Sequence, residues 1–345
     1  MDLLQIYQEI DAILDSVNFN ALYEGFHKYR FALYNREEII LDGQVLPYRE
    51  DFIGNTAKEY EGEYIAIWDM SLESACDVQR IAYYVVHEMF HCHQYENKTS
   101  GYPSDLDLLM YPDDEAHFTE KYNENRYLAD AYEKQDIMLL RQFAKIREER
   151  HKKYPAMVCH EWKVEALEGM AEYIGLKALA CINPERYEAT VKDYLEKLRE
   201  ESNLLFDVRR VSYYVGAVYF LCLERLGIPC NNDWKSELTI YEQNPIKTVE
   251  ITAELETYEF VSKNHAAFVQ HKKDKLNQHM ARAEYVACNG FICGYDPMNM
   301  FRLEDMIYCS HIVFLNIGGE IKTINSAVAL QLVPGSVRDV LGYYV

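Results

Sequence analysis

The stretch IAYYVVHEMFHCHQYEN, residues 81–97, places the motif H-E-x-x-H inside a segment whose pattern predicts an α-helix. Residues four apart lie on one face of a helix, so His87 and His91 can direct two imidazoles at a single ion. Glu88 is offset by one position, which lets its carboxylate reach a water on that ion without ligating the ion itself. The pattern predicts a helix that supplies two ligands of a zinc site and the general base beside them.

A zinc ion that activates water needs a third protein ligand and one open coordination position. The turn after the motif does not supply this ligand, because Gln94 and Asn97 stand where a metzincin pattern has glycine and histidine. A distant carboxylate is therefore required, and the best candidate segment is HEWKVEALEGMAEYIGLKA, residues 160–178. The alternative is that His87 and His91 are ordinary, partly buried histidines, since the motif also occurs by chance.

Together, H-E-x-x-H and the later E-G-x-A-x-Y resemble the motifs of the gluzincins, the zinc peptidases related to thermolysin and the aminopeptidases. The resemblance implies a zincin-like catalytic domain that binds Zn²⁺ and hydrolyses a peptide or protein substrate. It also implies that the glutamate opening the second motif is the third ligand. The interval between the motifs is longer than is usual in the family, which implies a helical insertion over residues 98–155. The matching residues are His87, Glu88, His91, Glu168, Gly169, Ala171 and Tyr173.

The second motif contains a rival to Glu168 as the third ligand. Four glutamates share one helix stripe, and Glu165, one turn before Glu168, is the chief alternative. Glu172, one turn after Glu168, can accept a hydrogen bond from a ligating histidine, and the alternative is a surface acid. Small and apolar residues between the glutamates indicate that the helix is buried.

Two tyrosines are candidates for the oxyanion donor that the resemblance to gluzincins implies. Tyr213 and Tyr214 lie near the start of an apolar segment, beside Arg209 and Arg210. Either tyrosine can instead be a packed ring with a satisfied hydroxyl. The arginines can hold a substrate carboxylate or pair with surface acids. The family architecture further implies that a substrate lies along the strand near residues 63–69.

The patterns along the chain predict an α+β protein that is mainly helical. A small N-terminal sheet is predicted from strands at residues 27–35, 37–43 and 62–70, followed by a helix at about 72–97 that Asp69 or Ser71 caps. Residues 113–285 have an almost entirely helical pattern.

The C-terminal residues change character, with β-branched residues, glycine and proline from about residue 286 onwards. The pair Gly318-Gly319 between two apolar runs predicts a tight hairpin. We therefore expect a zincin-like domain over residues 1–285 and a small β module over residues 286–345.

The composition excludes some classes of function and leaves others open. The 345 residues carry a net charge of -21, which opposes binding to a phosphate backbone and predicts no nucleic-acid partner. No signal peptide is recognisable and the longest apolar run is too short for a bilayer, so we expect a cytoplasmic protein without a membrane partner. A non-catalytic binding or scaffold protein with structural or absent metal remains the alternative, and a fourth protein ligand such as His160 would favour it. The oligomeric state is open.

Overall fold

The computed structural model describes residues 2–98, 102–111, 113–233, 235–248 and 256–345. The chain forms a mixed α and β structure in which a sheet comes first, helices fill the middle and a second sheet ends the chain. This order of elements confirms the mixed, mainly helical character that the sequence predicts. The predicted division into domains at residues 285 and 286 stays a prediction, although the first strand of the second sheet begins at Tyr285.

The helices of the described chain are α1 Leu3–Asp15, α2 Phe19–Leu22, α3 Val78–Glu96, α4 Asp105–Leu108, α5 Glu115–Lys134, α6 Ile137–Lys153, α7 Pro155–Ile182, α8 Pro184–Arg199, α9 Val208–Arg225, α10 Ile240–Gln243 and α11 Glu259–Met280. The strands are β1 Phe31–Tyr34, β2 Glu38–Leu41, β3 Gln44–Pro47, β4 Thr56–Tyr60, β5 Glu63–Asp69, β6 Tyr285–Tyr295, β7 Met300–Leu303, β8 Met306–Cys309, β9 Val313–Ile317, β10 Glu320–Ile324, β11 Val328–Leu332 and β12 Asp339–Tyr344. Short 3-10 turns cover Met70–Leu72, Asn203–Phe206 and Pro297–Asn299.

The N-terminal sheet has the strand order β3-β2-β1-β5-β4. Asn35 closes the predicted turn between β1 and β2, because its side-chain oxygen accepts hydrogen bonds from the amides of Glu37 and Glu38. β5 pairs with β1 in parallel and with β4 in antiparallel orientation. The prediction that a substrate adds to β5 is therefore wrong, because neighbouring strands already occupy both of its edges.

The helix with the H-E-x-x-H motif, α3, begins later than predicted. Asp69 caps only the 3-10 turn Met70–Leu72, by accepting from the amide of Ser71 at 2.9 Å. The cap of α3 is Asp77, which accepts from the amide of Arg80 at 3.2 Å. The predicted start near residue 72 was wrong because Asp69 caps a separate 3-10 turn, and the long helix begins only after a second cap, Asp77, eight residues later.

The helical middle of the chain brings the two motif helices together. Prolines at the first helical position open α7 and α8, as the missing amide hydrogen permits. α7 packs against both α3 and α9, and its buried residues run along most of its length. α5 and α6 occupy most of residues 98–155, where a helical insertion was expected, and the origin of this segment as an insertion stays a prediction.

The C-terminal sheet has seven strands in the order β10-β9-β6-β12-β11-β8-β7. Gly318 and Gly319 form the predicted hairpin between β9 and β10, and both have positive φ angles, of 64° and 93°. One face of the sheet encloses its own apolar cluster, to which Leu106 of α4 contributes. The other face packs on α11 through Leu276. Across the described residues, no helix is both long and apolar enough to cross a membrane.

Candidate metal centre

The two motif histidines converge on one side of α3. Their Nε2 atoms lie 3.0 Å apart, and both rings are buried. The four-residue spacing produces this geometry, because one helical turn brings the side chains onto the same face. His93, two residues further along, lies on the opposite side in contact with the rings of Phe26 and Phe90. It is buried among these rings and points away from the histidine pair, because two residues in a helix lie on nearly opposite sides.

α7 brings the carboxylate of Glu168 to the histidine pair. Its Oε2 atom lies 2.9 Å from Nε2 of His91 and 3.6 Å from Nε2 of His87. Two donors bound at about 2.0–2.1 Å by a tetrahedral Zn²⁺ lie roughly 3.3–3.4 Å apart. The three observed separations bracket this value, so the ligand atoms predicted from the two motifs already surround a volume suited to one ion.

The outer nitrogen of each imidazole has a hydrogen-bond partner. Nδ1 of His87 lies 2.7 Å from the carboxylate of Glu172, and Nδ1 of His91 lies 2.7 Å from Oε1 of Gln94. The amide nitrogen of Gln94 donates to the carbonyl of Leu167 at 2.9 Å, which fixes the orientation of the amide. Since both partners of the rings are acceptors, Nδ1 carries the proton in each neutral ring, which leaves the lone pair of Nε2 for a metal ion or a second proton.

Three acceptor atoms consequently face one another within 3.6 Å: two imidazole lone pairs and one carboxylate oxygen. Such an arrangement is repulsive unless a positive charge lies among the three atoms. A proton can serve, and although burial opposes it, Glu168 and Glu172 raise the pKa of His87 well above its usual value. Burial likewise opposes ionisation of Glu168, yet His91, His87 and Arg209 hold its pKa well below the usual range.

Glu88 lies on α3 next to His87 and is only 8% exposed. Burial raises the pKa of its carboxyl group, against the opposing effect of the two histidines. Together with His87, it lines a pocket of about 690 Å³ whose wall also includes Trp68 and Met298. A buried carboxylate with a raised pKa beside a cavity has the properties of a general base.

The two candidate tyrosines both line this pocket but occupy different environments. The ring of Tyr213 is parallel to that of His87, with centroids 6.0 Å apart and an interplanar angle of 4°. Tyr214 packs edge-on against Tyr194 at 4.8 Å and carries the ammonium of Lys197 over its ring at 4.7 Å. Only Tyr213 directly contacts a histidine of the candidate centre.

Glu172 has more hydrogen bonds than the sequence alone indicated. Besides contacting the ring of His87, its carboxylate accepts hydrogen bonds from the hydroxyls of Tyr83 and Tyr194. The three groups are buried together, which rules out the alternative of Glu172 as a surface acid. Tyr83 lies one turn before His87 on α3, so helical spacing could have indicated it, whereas Tyr194 comes from α8 and no sequence pattern connects it to the motif.

Arg209 was considered for a substrate carboxylate or for surface acids, and the structure places it elsewhere. It donates from Nη2 to Oε1 of Glu168 at 3.0 Å, and its Nη1 atom lies 3.0 Å from Oδ1 of Asp105. Both acids are largely buried. Arg210, by contrast, is exposed and lies 3.5 Å from Asp207. The sequence pointed to the arginine pair but could not identify the partners.

Glu165, the rival ligand, belongs to a separate buried ion network. Its carboxylate accepts from Arg147 at 2.5 and 2.9 Å and from the hydroxyl of Tyr241 at 2.5 Å. Three carboxylates of this network lie close enough to hold an ion, but three basic side chains already neutralise them. The geometry thus favours Glu168 over Glu165 as the third ligand. The network comprises Lys121, Glu124, Arg147, Arg150, Glu161 and Glu165.

His160, the named candidate for a fourth ligand, is engaged away from the histidine pair. Its Nδ1 atom accepts from the amide of Ser104 at 3.5 Å, and its Nε2 atom lies 3.8 Å from a carboxylate oxygen of Asp107. Within the described ranges, the cluster around His87 contains three potential ligands.

No family model matches this chain, and no curated protein or solved structure matches it significantly.

Proposed function

We propose that this chain is a zinc-dependent peptidase whose catalytic domain is of the zincin-like, gluzincin type. The observation that carries the proposal is the set of three mutually facing acceptor atoms from His87, His91 and Glu168. Their two nitrogens and one oxygen are a donor set typical of catalytic zinc, and the hydrogen bonds to both Nδ1 atoms are typical of ligating histidines.

When bound, Zn²⁺ supplies Lewis acidity that makes a water nucleophilic near neutral pH and stabilises negative charge on a carbonyl oxygen. The protein's own contribution begins with Glu88, which accepts a proton from the attacking water. As the new C–O bond forms and the scissile C–N bond breaks, Glu88 delivers that proton to the leaving nitrogen. Burial supports this role, because it raises the pKa of the Glu88 carboxyl group and so makes the carboxylate a stronger base.

Tyr213 is the better placed of the two tyrosines to donate a hydrogen bond to the oxyanion. It lies parallel to the His87 ring at the wall of the pocket, whereas Tyr214 packs on Tyr194 and Lys197. A hydroxyl aimed at the position where negative charge develops lowers the barrier more than it stabilises bound substrate. We assign the donor role to Tyr213 and a packing role to Tyr214.

The alternative of a scaffold with structural zinc is less well supported. Structural zinc is normally closed by four protein ligands, while the cluster in the described part of the chain has three. The pocket of about 690 Å³ beside Glu88 lies within the size range of ligand sites, and it gives a substrate room to approach the centre. Both features favour an open catalytic centre that acts on a peptide or protein.

The decisive experiment combines zinc content with peptide hydrolysis in Glu88→Gln. Because Glu88 does not ligate the ion in this proposal, we expect about one zinc per chain by mass spectrometry and a loss of hydrolysis of roughly 10²–10⁴-fold on a mixed peptide library. Glu168→Gln should instead lose zinc, and Glu165→Gln, the matched buried glutamate, should retain it.

The two halves of the proposal can fail separately. Wild-type protein that binds no zinc would overturn the metal centre itself. Stoichiometric zinc that Glu168→Gln removes, combined with no hydrolysis of any library peptide, would leave the metal centre intact and overturn the peptidase assignment. Hydrolysis that persists in Glu88→Gln would transfer the general-base role to another residue.

A further inference from the structure

Only one of the two oxygens of Glu168 points at the histidine pair. Oε2 lies 2.9 Å from Nε2 of His91, whereas Oε1 accepts a hydrogen bond from Nη2 of Arg209 at 3.0 Å. The carboxylate is buried, so solvent cannot compete for the second oxygen. A charge-assisted hydrogen bond to a guanidinium is among the strong hydrogen bonds in proteins, and it fixes the rotation of the carboxylate.

Arg209 also forms an ion pair on the side away from Glu168. Its Nη1 atom lies 3.0 Å from Oδ1 of Asp105, at the first residue of α4, and its guanidinium carbon lies 5.7 Å from the ring centroid of Tyr213. Side-chain exposures of 13% for Arg209 and 17% for Asp105 keep this pair away from bulk water. The next residue, Leu106, is packed in the core of the C-terminal sheet. Glu168, Arg209 and Asp105 therefore form a chain of charges that ends at that sheet.

We propose that Arg209 is a positioning residue that restricts Glu168 to ligation through one oxygen. A carboxylate whose second oxygen is free can turn both oxygens towards a metal ion, and the second oxygen then takes the coordination position that a reacting water needs. By occupying Oε1, Arg209 keeps that position open. The inference rests on the proposed zinc centre and adds a reason why the centre stays catalytic rather than closed.

The positioning role and a simple supporting ion pair predict different changes in zinc affinity when Arg209 is lost. Loss of a mere support would loosen Glu168 and weaken zinc binding, as the loss of outer hydrogen-bond partners usually does. Loss of Arg209 from the proposed arrangement instead frees a second oxygen for the ion and removes a nearby positive charge. Zinc affinity is then retained or increased, while the open position is lost.

The test uses Arg209→Met in the full chain, loaded with Zn²⁺ or with Co²⁺ as a spectroscopic probe. We expect the visible absorption of bound Co²⁺ to change towards that of a higher coordination number, a zinc dissociation constant no weaker than in the wild type, and a fall in kcat of about tenfold or more. The neighbouring Arg210→Met is the control, with the wild-type Co²⁺ spectrum and zinc affinity. Arg209→Lys, which keeps one cationic donor, should restore much of the wild-type spectrum.

Each outcome has a defined meaning. A wild-type Co²⁺ spectrum in folded Arg209→Met would overturn the positioning role, and so would a large loss of zinc affinity with an unchanged coordination number. Thermal unfolding of the metal-free variants checks that they are folded, and Arg209→Lys provides the readout if Arg209→Met is not. Failure of the wild-type protein to bind Zn²⁺ or Co²⁺ would instead overturn the proposed function on which this inference rests.

Discussion

In the proposed centre, Nε2 of each imidazole faces the ion because Nδ1 of the same ring donates a hydrogen bond to another side chain. Glu172 accepts from His87, and Gln94 accepts from His91 while donating to the carbonyl of Leu167. The two rings thus have different outer partners, one charged and one neutral. The charged partner should matter more for metal affinity, because it raises the basicity of the ring that it contacts.

We therefore expect Glu172→Gln to weaken zinc binding about 10- to 100-fold, since the variant keeps the size of the side chain but removes its charge. The measurement is a competition titration against a chromogenic chelator at fixed pH. Glu196→Gln on α8 is the control, because Glu196 is exposed and lies 3.6 Å from Lys192 in a surface pair. Equal zinc affinity in Glu172→Gln and the wild type would show that the charge on this residue does not support the ligand.

The sequence predicted those residues of the candidate site whose chemistry requires a fixed spacing along one helix. The pair His87 and His91 lies together because one helical turn separates them, and Glu172 contacts His87, which is one of the two alternatives that the sequence left open. Gln94 was considered only as a departure from another zinc motif, whereas its hydrogen bond to Leu167 depends on how two helices pack. Spacing along one helix can be read directly from a sequence, whereas Glu168 could be named only through the resemblance to gluzincins and the contact of Gln94 with Leu167 could not be named at all.

Among the elements, the crossing of α7 and α9 determines where Glu168 lies. Gly169 on α7 meets Gly216 on α9 so closely that a β-carbon built on Gly169 would lie 2.4 Å from the Cα of Gly216. A β-carbon on Gly216 would lie 2.3 Å from the carbonyl oxygen of Glu165. The obstructing atoms belong to the backbone, so they cannot move aside as a flexible side chain can. The two glycines permit the close approach that brings Arg209 to Glu168.

Gly216→Ala should therefore lower the free energy of unfolding by about 3 kcal/mol, because an inserted methyl group in a tight core costs roughly 1–3 kcal/mol even where side chains can adjust. Urea unfolding of the metal-free protein measures this loss. In an uncrowded helix the same change would stabilise the protein by up to about 1 kcal/mol, since alanine favours helix over glycine. The sign of the change thus decides whether the helices touch at this point, and a stabilised variant would contradict the close crossing.

The elements were predictable to different degrees. β1, β2 and β5 and the hairpin at Gly318-Gly319 have strong local signals, and the structure confirms them. β3 and β4 were not predicted, and β4 is what occupies the edge of β5 that a substrate was expected to use. Its sequence, TAKEY, has little apolar character, and all its residues are at least partly exposed in the fold. An edge strand of this kind is stabilised by its partner rather than by its own composition.

On the scale of the whole molecule, the strongly negative net charge of -21 says little about where charge is buried. Three carboxylates and three basic side chains are enclosed together among α5, α6 and α7, while the acidic excess is spread over the surface. Burying paired charges seldom adds net stability, but removing one partner leaves a costly unpaired charge. The sequence predicted a buried α7 from its small and apolar residues. Its glutamates could not be divided between the ion network and the proposed metal centre without the packing of α5 and α6.

A buried histidine beside this network should make the stability of the whole fold sensitive to acid. Burial, reinforced by Arg150 and Lys121, lowers the pKa of His117 to about 3, while Glu161 and Glu124 oppose the shift. Its Nε2 atom lies 3.4 Å from Nη2 of Arg150, and the rings of Tyr111 and Tyr154 pack around the imidazole. The folded protein therefore excludes a proton that the unfolded chain, with an ordinary histidine pKa of about 6.5, readily binds.

The pKa of His117 is lower in the folded protein than in the unfolded chain. Its contribution to the free energy of unfolding is therefore complete above about pH 6.5 and falls as the pH drops towards 3. Between pH 7 and pH 5 the expected loss is about 2 kcal/mol from this residue alone. Urea unfolding at a series of pH values measures it, and the slope should flatten in His117→Gln because glutamine takes up no proton. His271→Gln, on the exposed side of α11, should leave the wild-type slope unchanged. Parallel slopes in the wild type and His117→Gln would mean that His117 is protonated in the folded protein and that the acid sensitivity originates elsewhere.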